Sequence, residues 1–325
     1  MAHMIDTTKG AAIAYVGATP WHGLGQQLSA DADIETWQRE ARLNYNVERS
    51  PVQYQNGELR TFADREVLYR SDTGGALSVV SKYYQVVQPS QVLAFFSELA
   101  KLGGFQLETA GALSGGKRVW ALARIGEGAN IVKGDKVDPY VLLATSYDGT
   151  MATTARFTAI RVVCHNTLSA AYGRSGDFVH VYHSTKFDAE AVRKQLGIFS
   201  SDWEKFLHQA KDLAHKKLNE SQADEFLIEL IAPAIAPSVS GPAEVEQARE
   251  TARKSRGYKS VMELFKGKAI GSEIRNLADT RWQMLNSVTQ YVDHERGNTP
   301  NTRLESAWFG EGSKLKSRAL ELLSV

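Results

Sequence analysis

Alternation of apolar and polar positions dominates the first half of the chain, and a spacing of three or four residues dominates the second. From Val52 to Arg70, runs rich in β-branched and aromatic residues flank Asn56-Gly57, the dipeptide best suited to a two-residue hairpin turn because both of its positions need positive φ. "ALSVVSKYYQVV" from Ala76 continues that sheet. "FQLETAGALSGGKRVWALARI" from Phe105 turns at Gly115-Gly116, and an Asp148-Gly149 turn then leads into a long strand from Thr150 to Val163. "FVHVYHS" from Phe178 reads as a further strand. Two helices interrupt the strands. One follows the cap-type residues Ser29, Asp31 and Asp33 and carries Ile34, Trp37 and Ala41 on one face; the other follows Pro89-Ser90, carries Val92, Phe95, Phe96 and Leu99, and closes at Gly103-Gly104.

From about Thr185 the period changes. Val192, Leu196, Phe199, Trp203, Phe206 and Leu213 recur at helical spacing, and Ser221 is placed to cap the next helix. Ala232 to Glu244 concentrates Pro, Ser and Gly and is predicted to be a linker, after which "SVMELF", "IRNLADTRWQMLNSVTQYVDH" and "KLKSRALELL" are helical again. The fold class is therefore α+β: an antiparallel sheet with inserted helices over residues 1–184, followed by a mainly helical C-terminal region over 185–325.

Composition narrows the function classes. No apolar run is long enough to span a bilayer and no secretory leader opens the chain, so a cytoplasmic protein that does not enter membranes is expected. Residues 1–4, Met-Ala-His-Met, read as vector-derived and are set aside. One cysteine excludes an internal disulfide and a cysteine-rich zinc site. The net charge is +1; residues 1–184 hold 17 basic and 17 acidic side chains and the remainder 21 and 20, which argues against a strong non-specific polyanion binder.

The Thr-rich strand is the main candidate for chemistry. In an extended strand Thr154, Arg156 and Thr158 share one face and Met151, Ala155, Phe157 and Ala159 the other. A solvent-facing row of hydroxyls and a guanidinium fits a sugar-phosphate backbone. A half-solvated sheet rich in threonine, a good strand former, has the same pattern without any ligand. Arg161 falls among the packing positions, so it needs either an internal carboxylate or a bulge that turns it toward Arg156. Cys164 and His165 are adjacent in sequence and project from opposite faces of a strand, which argues against a thiol–imidazole dyad. His180 and His183 point oppositely for the same reason, and no metal site or cofactor motif is expected. Lys117 and Arg118 at a hairpin tip and Lys82 beside Tyr83-Tyr84 add candidate phosphate contacts, with one tyrosine ring available for base stacking.

Three stretches, "TPWHGLG", "SYDGT…RFTAIRVVCHNTL" and "NTRLESAWFGEGSKLKSRALELL", together resemble a family of phage/plasmid-like proteins of unknown function, over Trp21 to Leu323. The resemblance marks Trp21, His22, Gly23, Gly25, Asp148, Gly149, Arg161, Cys164, Asn166 and Thr167, and implies a bacterial cytoplasm during replication, transfer or defence of a mobile element. The order hairpin, helix, antiparallel meander is similar to that of single-strand annealing proteins, a likeness of fold only. The resulting expectation is a non-catalytic homo-oligomer that binds single-stranded DNA, with annealing as a use of that binding, without metal or cofactor. Arg156, Arg161, Lys117, Arg118 and Lys82 would hold phosphates, and Thr154 and Thr158 would add hydrogen bonds. The alternatives are a protein-binding module, such as an inhibitor of host defence, and an enzyme using His22 with distant carboxylates.

Overall fold

Asn56-Gly57 closes a long hairpin between β3 (Val47–Asn56) and β4 (Glu58–Arg70), with Gly57 at φ 74°, where a side chain would be strained. β5 (Ala76–Ser81) adds antiparallel to β4, so these strands form a three-stranded sheet in the order β3-β4-β5. The computed structural model describes residues 5–17, 23–101, 104–161, 163, 166–168, 178–181, 199–235, 241–297 and 303–325. Cys164, His165, His183, Trp21 and His22 lie outside them, as do residues 1–4.

The chain divides into two units. Unit 1 comprises residues 1–126, 140–157 and 174–199; unit 2 comprises 127–139, 158–173 and 200–325. The expected boundary at 184/185 lies outside the described residues, and each unit gathers pieces that are distant in sequence.

In unit 1, β1 (Ile13–Val16) pairs in parallel with β2 (Gln26–Leu28) and antiparallel with β6 (Phe105–Leu113). From β6 the chain makes the 3-10 turn Ser114–Gly116 and returns as β7 (Arg118–Ile125), which pairs with β9 (Asp135–Ser146). β10 (Thr153–Arg161) lies between β9 and β12 (Phe178–Val181). Among the described residues the unit also has two helices. Helix α1 (Ile34–Glu40) is capped by Asp33, whose side chain accepts from Thr36 N. Helix α2 (Pro89–Lys101) packs Val92, Leu93, Phe95 and Phe96 on β6 and β7. Gly111 in β6 permits close packing on β1, since a Cβ there would sit 2.5 Å from the Ala12 carbonyl oxygen.

The described residues of unit 2 are mainly helical, with strand in β8 (Ala129–Val132), which pairs with the start of β9, and in β11 (Asn166–Leu168), which pairs with the end of β10. Its helices are α3 (Phe199–His215), α4 (Glu220–Ile235), α5 (Pro242–Lys254), α6 (Arg256–Glu263), α7 (Arg281–Gln290), α8 (Arg303–Phe309) and α9 (Glu311–Ser324). Asn219, not Ser221, starts α4: it exchanges hydrogen bonds with Gln222 in a reciprocal cap. The predicted linker is shorter than 232–244, because α4 continues to Ile235 through Pro233 and α5 begins at Pro242. Helix α7 is buried on every side from Trp282 to Gln290. Its polar residues are accommodated by local bonds: Asn286 donates to the Trp282 carbonyl, Ser287 to Gln283 and Thr289 to Asn286, while Gln283 and Gln290 accept from the backbone of Asp279 and Ile270.

One buried carboxylate organises unit 2. Asp135, fully shielded at the start of β9, accepts from Arg161 Nε at 2.5 Å and from Trp282 Nε1 at 2.7 Å. Arg161 Nη1 also donates to the Ile270 carbonyl at 3.1 Å. A Cβ on Gly271 would lie 2.9 Å from Arg161 Nη2, so glycine at φ 82° is what lets that loop close over the guanidinium. The pair is charge-balanced and dry, and breaking one side leaves the other charge buried. Asp135→Asn and Arg161→Leu should each lower stability by about 3–5 kcal/mol in denaturant unfolding. The double apolar replacement Asp135→Leu/Arg161→Leu should cost less than the sum of the two single changes.

Candidate nucleic-acid interface

The expected cationic strand is interior. Every residue of β10 from Thr153 to Ala159 is buried, and so is Arg161. Thr154, Arg156 and Thr158 share a face as their parity requires, but that face is covered, with Arg156 at 8% exposure. Burial alone pulls the Arg156 guanidinium down to about 10. Arg161 takes the internal option, its carboxylate being Asp135. The continuous exposed track of hydroxyls and guanidiniums over Arg156, Arg161, Thr154 and Thr158 is thus replaced by structural polar packing. Thr153, paired to Thr145 Oγ1 at 2.8 Å, shows the same use of hydroxyls inside the sheet. Alternation placed the residues on the correct faces; it could not show that a strand with neighbours on both edges is also covered on both faces.

The remaining expected contacts stay at the surface of unit 1. Lys117 is exposed beyond the Gly115-Gly116 turn, and Arg118 Nη2 donates to Thr150 Oγ1 at 2.8 Å. Thr150 closes the Asp148-Gly149 turn, whose Asp148 carboxylate accepts from both the Thr150 N–H and hydroxyl. Burial raises the Asp148 pKa, but these two bonds and Arg118 outweigh it and hold the group below the usual carboxylate range. Two turns far apart in sequence therefore meet. Ser78 of β5 donates to the Tyr147 carbonyl and Tyr84 to that of Ser146 at 2.6 Å, which ties the three-stranded sheet to the same place.

The end of the hairpin is exposed on both faces, over Arg49 to Asn56 except for half-buried Val52 and over Glu58 to Arg65, about 25 Å of strand pair. Cross-strand register puts Val52 opposite Phe62 and Tyr54 opposite Arg60 on one face, and Gln53 opposite Thr61 and Gln55 opposite Leu59 on the other. Tyr54 is 47% exposed and Phe62 51%. Where β5 ends beside Asp64, Tyr83 is 71% exposed and Lys82 sits 5.3 Å from its ring centre, while Tyr84 turns into the core. Arg49 pairs with Glu66 at 2.5 Å and Lys82 with Asp64 at 3.0 Å. Among the described residues Arg60 and Arg65 have no ion pair. Sequence reasoning recognised this hairpin as structure and overlooked it as a surface; the available signal was Tyr54, Leu59 and Phe62 within eight residues of a turn, more apolar area than a solvated tip needs.

At the other end of β4, Arg70 is buried in a cluster of opposite character. Its Nε and Nη2 bind Asp72 in a two-pronged pair, each at 2.9 Å; Nη1 binds Asp6; and the guanidinium lies 4.0 Å from the Tyr45 ring centre. Burial raises the pKa of both carboxylates, but for Asp6 the hydroxyl and N–H of Thr8 and then Arg70 outweigh it, and for Asp72 Arg70 and Lys9 do.

Of the residues marked by family resemblance, Gly23 and Gly25 adopt φ 69° and 109°, and a Cβ on Gly25 would collide with Ile13 at 2.8 Å. Asn166 and Thr167 contribute backbone to β11. Among the described residues no group of three or more His, Cys, Asp or Glu is placed to hold a metal ion, and no helix is long and apolar enough to cross a membrane.

Carboxylates held below their unfolded values stabilise the fold above about pH 4, and that contribution disappears as pH falls through the lowered values. Melting temperature measured from pH 7 to pH 3 should fall steeply below about pH 4. In Asp72→Asn it should start lower at pH 7 and decline less over the acid range.

No curated protein and no solved structure matches the chain. Residues 76–308, which include β5, the meander and most of the helical region, match the family described as Domain of unknown function (DUF932), and the chain belongs to that family.

Proposed function

We propose that this protein binds single-stranded DNA without catalysis, and that the binding surface is the exposed end of the β3-β4-β5 sheet with the Lys117-Arg118 turn at its base. The observation that carries this reading is the presence of three large aromatic side chains in solvent, Tyr54 and Phe62 on the sheet that also holds Arg60 and Arg65, and Tyr83 beside Lys82 in the turn that follows β5. Base stacking on such rings contributes about 1–3 kcal/mol per base and tolerates any sequence, since every base has a π-face. The order hairpin, helix and antiparallel meander supports annealing as the use of that binding, in the cytoplasm of a bacterium carrying a phage or plasmid. Association of several copies would lengthen the track along the strand.

Charge sets the character of the interaction. Lys82 and Arg49 are already engaged by Asp64 and Glu66, and Arg118 by Thr150, which leaves Arg60, Arg65 and Lys117 as the first candidates for phosphates. Each phosphate neutralised on a single strand contributes about −0.7 to the slope of log affinity against log salt, so the slope should be shallow, about −2 to −3. Fluorescence anisotropy with a labelled oligonucleotide at several salt concentrations measures it. Tyr54→Ala/Phe62→Ala should weaken binding by about 10- to 1000-fold with the fold intact, both side chains being exposed. Absence of binding at low salt, or unaltered binding by this variant, would refute the proposal.

Exposed Leu59 and Val79 on the same sheet favour a second reading, a protein-binding module acting on a host protein. It requires a stoichiometric protein partner that the Tyr54→Ala/Phe62→Ala variant loses, with no affinity of the parent protein for oligonucleotide.

A further inference from the structure

Helix α1 ends in a way that places an arginine where glycine is usual. After the cap residue Ala41, Arg42 takes φ 54°; its N–H bonds the Arg39 carbonyl at 3.1 Å and the Leu43 N–H bonds that of Gln38 at 2.7 Å. These two bonds define the left-handed helix stop in which a residue without a Cβ is favoured. Retaining a long, charged side chain in that conformation is a local cost with no return in helix termination.

The side chain has a definite position. It lies against the backbone of Gly10, where a Cβ would come within 2.7 Å of Arg42 Nη2 and 3.1 Å of Nε, and Gly10 itself has φ 98°. Its Nε is shielded from solvent without a hydrogen-bond partner, and among the described residues no carboxylate pairs with its guanidinium. Arg42 borders a cavity of about 210 Å³ together with Asp6, Lys9, Arg39, Asn44, Arg70 and Asp72. The lining holds four cations and two carboxylates. Both carboxylates are taken by Arg70, and Asp72 also by Lys9 at 3.4 Å; Arg39 is held by Glu40 at 2.9 Å. Arg42 is therefore the cation the cluster leaves uncompensated.

We infer that this cavity is a binding site for a phosphate group, with Arg42 presenting the two-pronged edge of its guanidinium and Lys9 and Arg39 completing the cradle. With Glu40 counted against Arg39, the cluster carries one uncompensated positive charge, that of Arg42, which calls for an anion, and the volume suits one phosphate group and little more. The buried Arg70–Asp6–Asp72 cluster acts as the rigid floor. This site stands apart from the aromatic arm and does not depend on it.

The same chemistry is offered by a free phosphate ester and by the terminal phosphate of a nucleic acid strand. Inorganic phosphate titrated into the full chain, followed by ³¹P line broadening and thermal shift, tests the site. Arg42→Gly should weaken phosphate binding at least about tenfold while keeping or raising the melting temperature of the unliganded protein, because glycine suits that backbone. Arg42→Gln is the companion variant should the glycine alter the helix end. A 5′-phosphorylated oligonucleotide that outcompetes inorganic phosphate, and does so better than its 5′-hydroxyl counterpart, assigns the ligand to a strand end; equal competition by the two oligonucleotides assigns it to a small phosphate ester. Undetectable phosphate binding by the parent protein, or equal binding by parent and both Arg42 variants, overturns the inference.

Discussion

A guanidinium inside a protein must be neutralised where it stands, and this constraint shapes both units. Arg161 in unit 2 meets Asp135, and Arg70 in unit 1 meets Asp6 and Asp72. Asp72 is a near neighbour of Arg70 in sequence, but Asp6 and Asp135 come from distant segments, so those two pairs fix tertiary structure as well as charge. Asp135 also takes the Trp282 N–H, which orients a fully buried helix by its largest side chain. Unpaired, either arginine would have to be expelled to solvent, and the strand carrying it would lose its packing. The same requirement explains why the chain's near-zero net charge coexists with so many arginines: many of the charges face one another.

How much of this was legible beforehand depended on whether a signal was local. Asn56-Gly57, the Asp33 cap and the Gly115-Gly116 turn announce themselves through backbone conformations that few other residues accept, and each is found where expected. The boundaries of α4 were less legible because Asn219 and Ser221 are both cap residues, and only the reciprocal bond to Gln222 separates them. Helix α7 was expected as a helix and is one, but its burial was not legible, since Gln283, Asn286, Ser287, Thr289 and Gln290 are polar and yet all buried. Gln283, Asn286, Ser287 and Thr289 each make a bond within four residues and Gln290 accepts from the Ile270 backbone, so burial costs less than composition suggests.

The candidate site shows the same division. For Arg161 the sequence correctly left a choice between an internal carboxylate and a bulge, since its parity placed it among packing residues. For Thr154, Arg156 and Thr158, parity and polarity together pointed outward, and both faces proved to be covered. Polarity of a strand face records which side chains are present, while exposure depends on what other segments lay over it. Tyr54 and Phe62 show the complementary case: the hairpin was legible as structure, while the exposure of its aromatic side chains was not.

The surface features left over differ in physical kind. On the hairpin Arg49 and Lys82 are matched by acids, and what remains is aromatic area with Arg60 and Arg65; contacts there would gain from stacking, with a modest dependence on salt. In the Arg42 cavity the apolar contribution is small, and what remains unsatisfied is charge. A ligand bearing both a stackable ring and a phosphate would find its two halves recognised by separate elements of unit 1. An arginine kept at a helix stop that favours glycine is the stronger clue of the two, because exposed aromatics can persist at little structural cost, whereas a left-handed arginine destabilises the free protein at every moment it is unliganded.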